Sequence, residues 1–218
     1  MIRVTTIVPT VLSRDKQDYR AQLELINPIT KRVQIDIADK SFTPNETIDI
    51  TNAWWPKTWQ ADLHLMTAKP SAMIDTVIKL NPSLCILHAE AQEDLLPIFA
   101  QLKEHNIKTG VALLPSTFPG AAKKYIDVVD HVLIFAGQLG LQGSQADLMQ
   151  MEKIQIIREM KPEAEIGWDG GANLSNVRAL AHADLDVINV GSAIMKAERP
   201  AEMFKILTAE VDKSGVVI

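Results

Sequence analysis

The feature that most constrains this chain is an uninterrupted alternation of short β-branched runs with longer amphipathic segments. The runs are "RVTTIV" (3–8), "RVQID" (32–36), "QADLHL" (60–65), "SLCILH" (83–88), "IKTGVAL" (107–113), "HVLIF" (131–135), "AEIGWD" (164–169) and "DVINVG" (186–191). Between them, "RDKQDYRAQLELI" sets Tyr19, Leu23 and Ile26 at helical spacing, and "SAMIDTVIKL" follows Pro70, a favoured helix opener. "EDLLPIFAQLKEH", "FPGAAKKYIDV", "DLMQMEKIQIIREM", "LSNVRALAHA" and "PAEMFKILTAEV" have the same character. Eight strand runs interleaved in this way, without a Pro/Ser/Gly-rich linker, predict an α/β chain forming one (β/α)8 TIM barrel over residues 1–218. The rival, a doubly wound open sheet, needs a glycine-rich first turn for a dinucleotide. The first turn here, "VPTVLSRD", has no glycine. The tail "DKSGVVI" reads as a loose end or a small packing strand.

A barrel makes the strand ends the places to look, because active sites form at the C-terminal face. Side chains alternate along a strand, so in "VQIDIADKSFTPN" Gln34 and Asp36 share one face while Val33, Ile35 and Ile37 share the other. Asp169 closes strand seven. Two acids aimed inward from strands two and seven could serve opposite faces of one carbon, removing a proton from one and returning it to the other. His64, on a face with Asp62 and Met66, joins the same mouth. One nitrogen and several oxygens there describe a divalent metal site, in which the Gln34 amide is a poorer donor than imidazole for zinc-like ions.

"DGGANLSN" and "GSAIM" place small residues after strands seven and eight. In barrels these loops commonly hold phosphate on backbone N–H groups and a short helix start. Asn173 or Ser175 is expected to cap a helix there, and "GQLGLQGS" after strand six to form a lid or third wall. Trp168 is expected to point out toward the helices, and Trp54 and Trp55 to serve helix packing or a subunit contact. His105, His131 and His182 are expected to be solvated or capping.

The formal net charge is −5 with no basic block, which argues against nucleic acid or an anionic membrane as the main partner. The lone Cys85 lies in an apolar run and reads as core packing in a reducing compartment. The N-terminal run reads as a first strand rather than a signal peptide, and no stretch is long enough to span a bilayer. A cytoplasmic location is the expectation.

The segments "VPTVLSRD", "IDIADKSFTPN", "LHLM", "LHAEA", "GVALLPST", "VLIFAGQLG", "WDGGANLSNV" and "VGSAIMKA" together resemble the ribulose-phosphate 3-epimerase family, in family order over nearly the whole chain. The resemblance implies C3 epimerisation of D-ribulose 5-phosphate to D-xylulose 5-phosphate, with Asp36 and Asp169 as acid and base. It implies a zinc- or iron-type divalent ion on Asp36, His64 and Asp169, with Gln34 where the family has a fourth, histidine, ligand. Phosphate would lie against Gly170, Gly171, Gly191 and Ser192 with help from Gly143. Thr10, His64 and Met66 would face the sugar, and the chain would form a homo-oligomer. Departures gather at the mouth: Gln34, Ala38, Lys40, Leu114, Ala136 and Gln138–Leu139. They leave open an epimerase for another phosphorylated ketose, or a phosphosugar-binding protein with altered catalysis. A decarboxylase or aldolase of the same barrel group would carry Asp-x-Lys at the end of strand three, where this chain has Asp62-Leu63-His64.

Overall fold

The computed structural model describes residues 4–213. Eight parallel strands close a barrel in sequence order: β1 (Thr6–Val11), β2 (Arg32–Ala38), β3 (Gln60–Met66), β4 (Leu84–His88), β5 (Lys108–Leu113), β6 (His131–Phe135), β7 (Glu165–Asp169) and β8 (Val187–Val190). Outside it run α1 (Lys16–Ile26), α2 (Ile74–Leu80), α3 (Leu96–Glu104), α4 (Lys123–Ile126), α5 (Glu152–Met160), α6 (Val177–His182), α7 (Ser192–Met195) and α8 (Pro200–Val211). The barrel reading holds, with one unit departing from the pattern. Between β2 and β3 there is no α-helix, only a 3-10 turn at Ile50–Asn52, and Trp54 packs edge-on against Tyr19 of α1 with ring centres 6.4 Å apart. Most of the terminal tail read as a loose end or packing strand, residues 214–218, lies outside the described residues.

The first strand is shifted from its expected position of 3–8. It starts at Thr6 and continues through Pro9 to Val11. Proline lacks a donor and normally interrupts a central strand. Here it sits where β1 passes from its ladder with β8 (Thr6 to Pro9) to its ladder with β2 (Thr10, Val11). Asp15, beyond the end of β1, caps α1: its carboxylate accepts from the Gln17 and Asp18 N–H groups.

Strands buried on both faces carry two cores, the usual condition of parallel sheets. Outward residues such as Ile35, Leu63, Cys85 and Trp168 pack with Leu23, Phe99, Ile157 and Leu207 from the helices. Trp168 faces outward as expected and ties its indole N–H to the Gly170 carbonyl at 3.0 Å. Inside the barrel three levels follow one another. The middle is apolar: Leu84, Ile86, Ala112 and Leu133. Below it lies an ionic plug. Arg32 donates to Asp62 at 2.8 Å and with both terminal nitrogens to Glu165, which also meets His131 Nδ1 at 2.8 Å. His131 is therefore buried and within hydrogen-bond distance of Glu165, contrary to its reading as solvated or capping. Its room comes from Gly167, where a β-carbon would stand 2.6 Å from His131 Nε2. The third level, at the C-terminal face, is polar again. Among the described residues no helix is long and apolar enough to cross a membrane.

Candidate active site

The inward residues at the ends of β2, β3, β4 and β7 converge. Gln34 Nε2 donates to Asp36 Oδ1 at 3.0 Å and to Asp169 Oδ2 at 2.7 Å. His64 Nδ1 lies 3.1 Å from Asp36 Oδ1 and 3.6 Å from Asp169 Oδ2. Parallel register explains part of this, since Asp36 stands opposite His64 on the neighbouring strand. Closure of the barrel explains the rest, bringing β7 across to β2. Gln34 was expected to be a weak metal ligand. Instead its amide clasps the two acids together.

Electrostatics in this cluster follow from burial and crowding. The Asp169 carboxyl is pushed up to about 7, first by burial and then by the neighbouring Asp36 charge, against the opposing pull of His64 and Gln34. Burial alone would lower His64, but its hydrogen bond to Asp36 and the two carboxylates outweigh that and raise it. His88 goes the other way, to about 4, because burial dominates. Phe42 and Phe135 stand against its ring, 4.8 and 5.9 Å between centres. A neutral His88 can accept through Nε2, which lies 2.8 Å from His64 Nε2, while its Nδ1 faces Glu90 at 3.4 Å. The relay Glu90–His88–His64 thereby turns His64 Nδ1 toward the acids. The sequence by itself marks neither His88 nor Glu90 for a role. Their signal was the period-two spacing of "HAE", which lacked meaning until β3 and β4 were paired.

Asp36, His64 and Asp169 bring one ligand atom each to within 4.8 Å of one another, all buried, a group able to hold a divalent metal ion. The donor chemistry fits. Gln34 Oε1 is buried and has no hydrogen-bond partner. Turning the amide over would present that oxygen where Nε2 now meets both acids. His64 is braced from behind through its second nitrogen, as metal-binding histidines usually are.

Above this cluster, a cavity open at its mouth is lined by Thr10, Asp36, Met66, Gly143, Asp169, Gly170, Gly171, Gly191 and Ser192. Every sequence-predicted site residue therefore lines it, except Gln34 and His64, which lie fully buried in the cluster beneath. Its glycines are more than turn formers. Gly171 has φ +68°, and a β-carbon there would stand 2.2 Å from the Ala146 backbone nitrogen; one on Gly170, at φ +117°, would stand 2.2 Å from that of Gly137. The loops after β6 and β7 touch backbone to backbone through these two positions. Neither Asn173 nor Ser175 caps α6. Asn173 Nδ2 and Asn176 Nδ2 instead hold the Gly171 carbonyl at 2.9 and 3.0 Å. Gly171→Ala is expected to cost at least about 2 kcal/mol, from left-handed backbone strain and the clash with Ala146. Urea denaturation within about 0.5 kcal/mol of the parent would contradict this loop packing.

Gln142 is a further residue of this rim that the sequence reading passed over. It reaches from the loop after β6 to the Thr10 carbonyl at 3.3 Å and roofs Gly191, where a β-carbon would stand 3.0 Å from Gln142 Nε2.

The chain is similar to known proteins along most of its length. The profile of the ribulose-phosphate 3-epimerase family matches residues 6–195. The ribulose-phosphate 3-epimerase of Schizosaccharomyces pombe is 27% identical over 215 residues, covering 95% of this chain and 94% of that protein. That of Bacillus subtilis is 29% identical over 200 residues, covering 86% and 91%. Among solved structures, the 3-hexulose-6-phosphate synthase of Salmonella typhimurium superposes with a TM-score of 0.69 at 14% identity, over 95% of this chain and 98% of that one. At that identity the likeness speaks for the fold alone.

Proposed function

The chain belongs to the ribulose-phosphate 3-epimerase family, and from that premise we propose that it is a ketopentose-phosphate 3-epimerase working on D-ribulose 5-phosphate by two-base proton transfer. The observation that carries this reading is one cavity bounded below by two clasped carboxylates and at its side by the glycine loops after β7 and β8.

The chemistry needs one ionised carboxylate to take the C3 proton and one protonated carboxyl to deliver a proton to the other face. Two acids this close resist double ionisation, and the upward shift of Asp169 to about 7 lets the pair carry a single proton near neutrality. Removing the proton leaves an enediolate whose two oxygens need positive charge or hydrogen-bond donors. His64, raised by its carboxylate neighbours, and the Gln34 amide are the protein's own groups beneath the cavity for that purpose. A divalent ion held by Asp36, His64, Asp169 and the turned Gln34 amide would add positive charge at those oxygens. An oxygen-rich set with a single imidazole favours harder ions such as manganese or iron(II) over zinc. Gly170, Gly171, Gly191, Ser192 and Gly143 would hold the phosphate, and closure by the loop after β6 would keep water from the enediolate.

In deuterium oxide, the protein supplied with divalent ions is expected to exchange the C3 proton of D-ribulose 5-phosphate and form D-xylulose 5-phosphate. NMR would follow both events. Ligand-induced thermal stabilisation without exchange would instead leave a phosphosugar-binding protein.

A further inference from the structure

Two buried polar atoms, on residues of the cavity wall, are left unused by the two-base chemistry. Asn189 is 2% exposed and Thr10 is 3% exposed; both line the cavity, and neither Asn189 Oδ1 nor Thr10 Oγ1 has a hydrogen-bond partner. Buried polar atoms are nearly always paired, so an unpaired one at a cavity wall points to a partner supplied from outside. The two lie on neighbouring strands. Asn189 is opposite Asp169 on one side and Val8 on the other, and Thr10 is the next inward residue above Val8 on β1. In β8 the residues flanking Asn189, Ile188 and Val190, belong to the outer apolar core. An inward residue in such a strand is ordinarily apolar as well.

Asn189 stands beside the acid Asp169 on the neighbouring strand and two residues before the loop end at Gly191, and all three line the cavity. Resting on the function proposed above, we infer that Asn189, with Thr10, binds the C4 hydroxyl of the ketopentose phosphate. That hydroxyl is carried by the carbon between the reacting C3 and the phosphate-bearing C5. A hydroxyl both donates and accepts, so it can donate to Asn189 Oδ1 while the Thr10 hydroxyl donates to its oxygen. Asn189 is then a specificity-determining residue. It selects ketoses hydroxylated next to the phosphate-bearing carbon over deoxy analogues and, through the direction of its amide, constrains configuration at C4.

The test compares D-ribulose 5-phosphate with its 4-deoxy analogue in the parent protein, in Asn189→Val and, as a second near-isosteric variant that keeps Asn189, in Thr10→Val. The parent is expected to favour the hydroxylated substrate by about 10²-fold or more in kcat/KM, since a site built to pair with a hydroxyl is left unpaired by its absence. Each variant is expected to lose at least about tenfold of that preference. The ligand-free melting temperature should stay level or rise, because an unpaired buried polar atom has been removed. Unchanged discrimination in both variants would overturn the inference, as would a lower ligand-free melting temperature in Asn189→Val, the mark of a structural amide. The thermal shift produced by D-ribulose 5-phosphate separates this idea from the proposed function. A parent that binds without turnover, with the shift reduced in both variants, removes the epimerase and keeps the hydroxyl site. Turnover with unchanged discrimination does the opposite, and a parent that neither turns over nor binds removes both.

Discussion

Asp169→Asn is expected to lower the rate of epimerisation by ~10²–10⁴-fold, the range for losing one positioned acid or base. The more telling readout is isotopic. With one of two bases gone, Asp36 can still remove a proton from one epimer, so solvent deuterium should enter that epimer faster than it is converted to the other. Loss of exchange into both epimers at equal rates would contradict a division of labour between the acids. A second readout comes from linkage in metal-stripped protein. A carboxyl raised to about 7 in the fold from ~3.9 in the unfolded chain favours folding while protonated. Its contribution is complete below about pH 4, falls as pH rises toward 7, and is absent beyond. Asp169→Asn should flatten that part of the stability profile, and its melting temperature at pH 8 should equal or exceed the parent's. The Gln34 Nε2 bond at 2.7 Å need not be lost, since an asparagine oxygen can accept it.

Arg32→Met should be the most damaging substitution for stability. The Asp62 side chain is 4% exposed and has Arg32 as its cation, so the variant leaves an uncompensated charge under the barrel. Breaking such a pair from one side costs about 3–5 kcal/mol, and Arg32 is itself 21% exposed, which favours the lower end. Burial works to raise Glu165, yet its bonds to Arg32 and His131 carry it far below the usual carboxylate range. A depressed acid stabilises the fold above its unfolded value of ~4.3 and loses that contribution as pH falls through the acid range. Asp62, raised by burial, opposes this in part. Parent and variant should therefore differ most at neutral pH and converge in acid, as chemical denaturation at pH 7 and pH 3 would record. Equal stability at pH 7 would show the plug to be dispensable.

Much of this protein was legible from local pattern. The eight β-branched runs and the apolar spacing of Tyr19, Leu23 and Ile26 specify strands and helices whose apolar faces can all be covered in a closed barrel. Alternation along β2 and β7 put Asp36 and Asp169 inward, and the glycines after β7 and β8 sit at the cavity edge where barrel loops meet. Misreadings arose where a residue's surroundings come from distant chain. His131 begins its strand, and such positions are often solvated; Glu165 and Arg32, brought to it by barrel closure, make it part of a buried plug. Gln34 read from the sequence as a weak ligand, and only its neighbour Asp169, far along the chain, gives it the further part of a clasp. Asn189 sat unremarked in an apolar run, because only an unpaired oxygen at a cavity wall distinguishes it.

The sequence by itself determined which residues face into the barrel and which strand ends carry acids, since strand alternation and hydrophobic patterning act within a few residues. Tertiary structure alone decided which of those residues meet. Distances between strands, the sharing of one proton by two acids and the pairing of buried polar atoms depend on barrel closure, which joins positions more than a hundred residues apart, as Gln34 and Asp169 are.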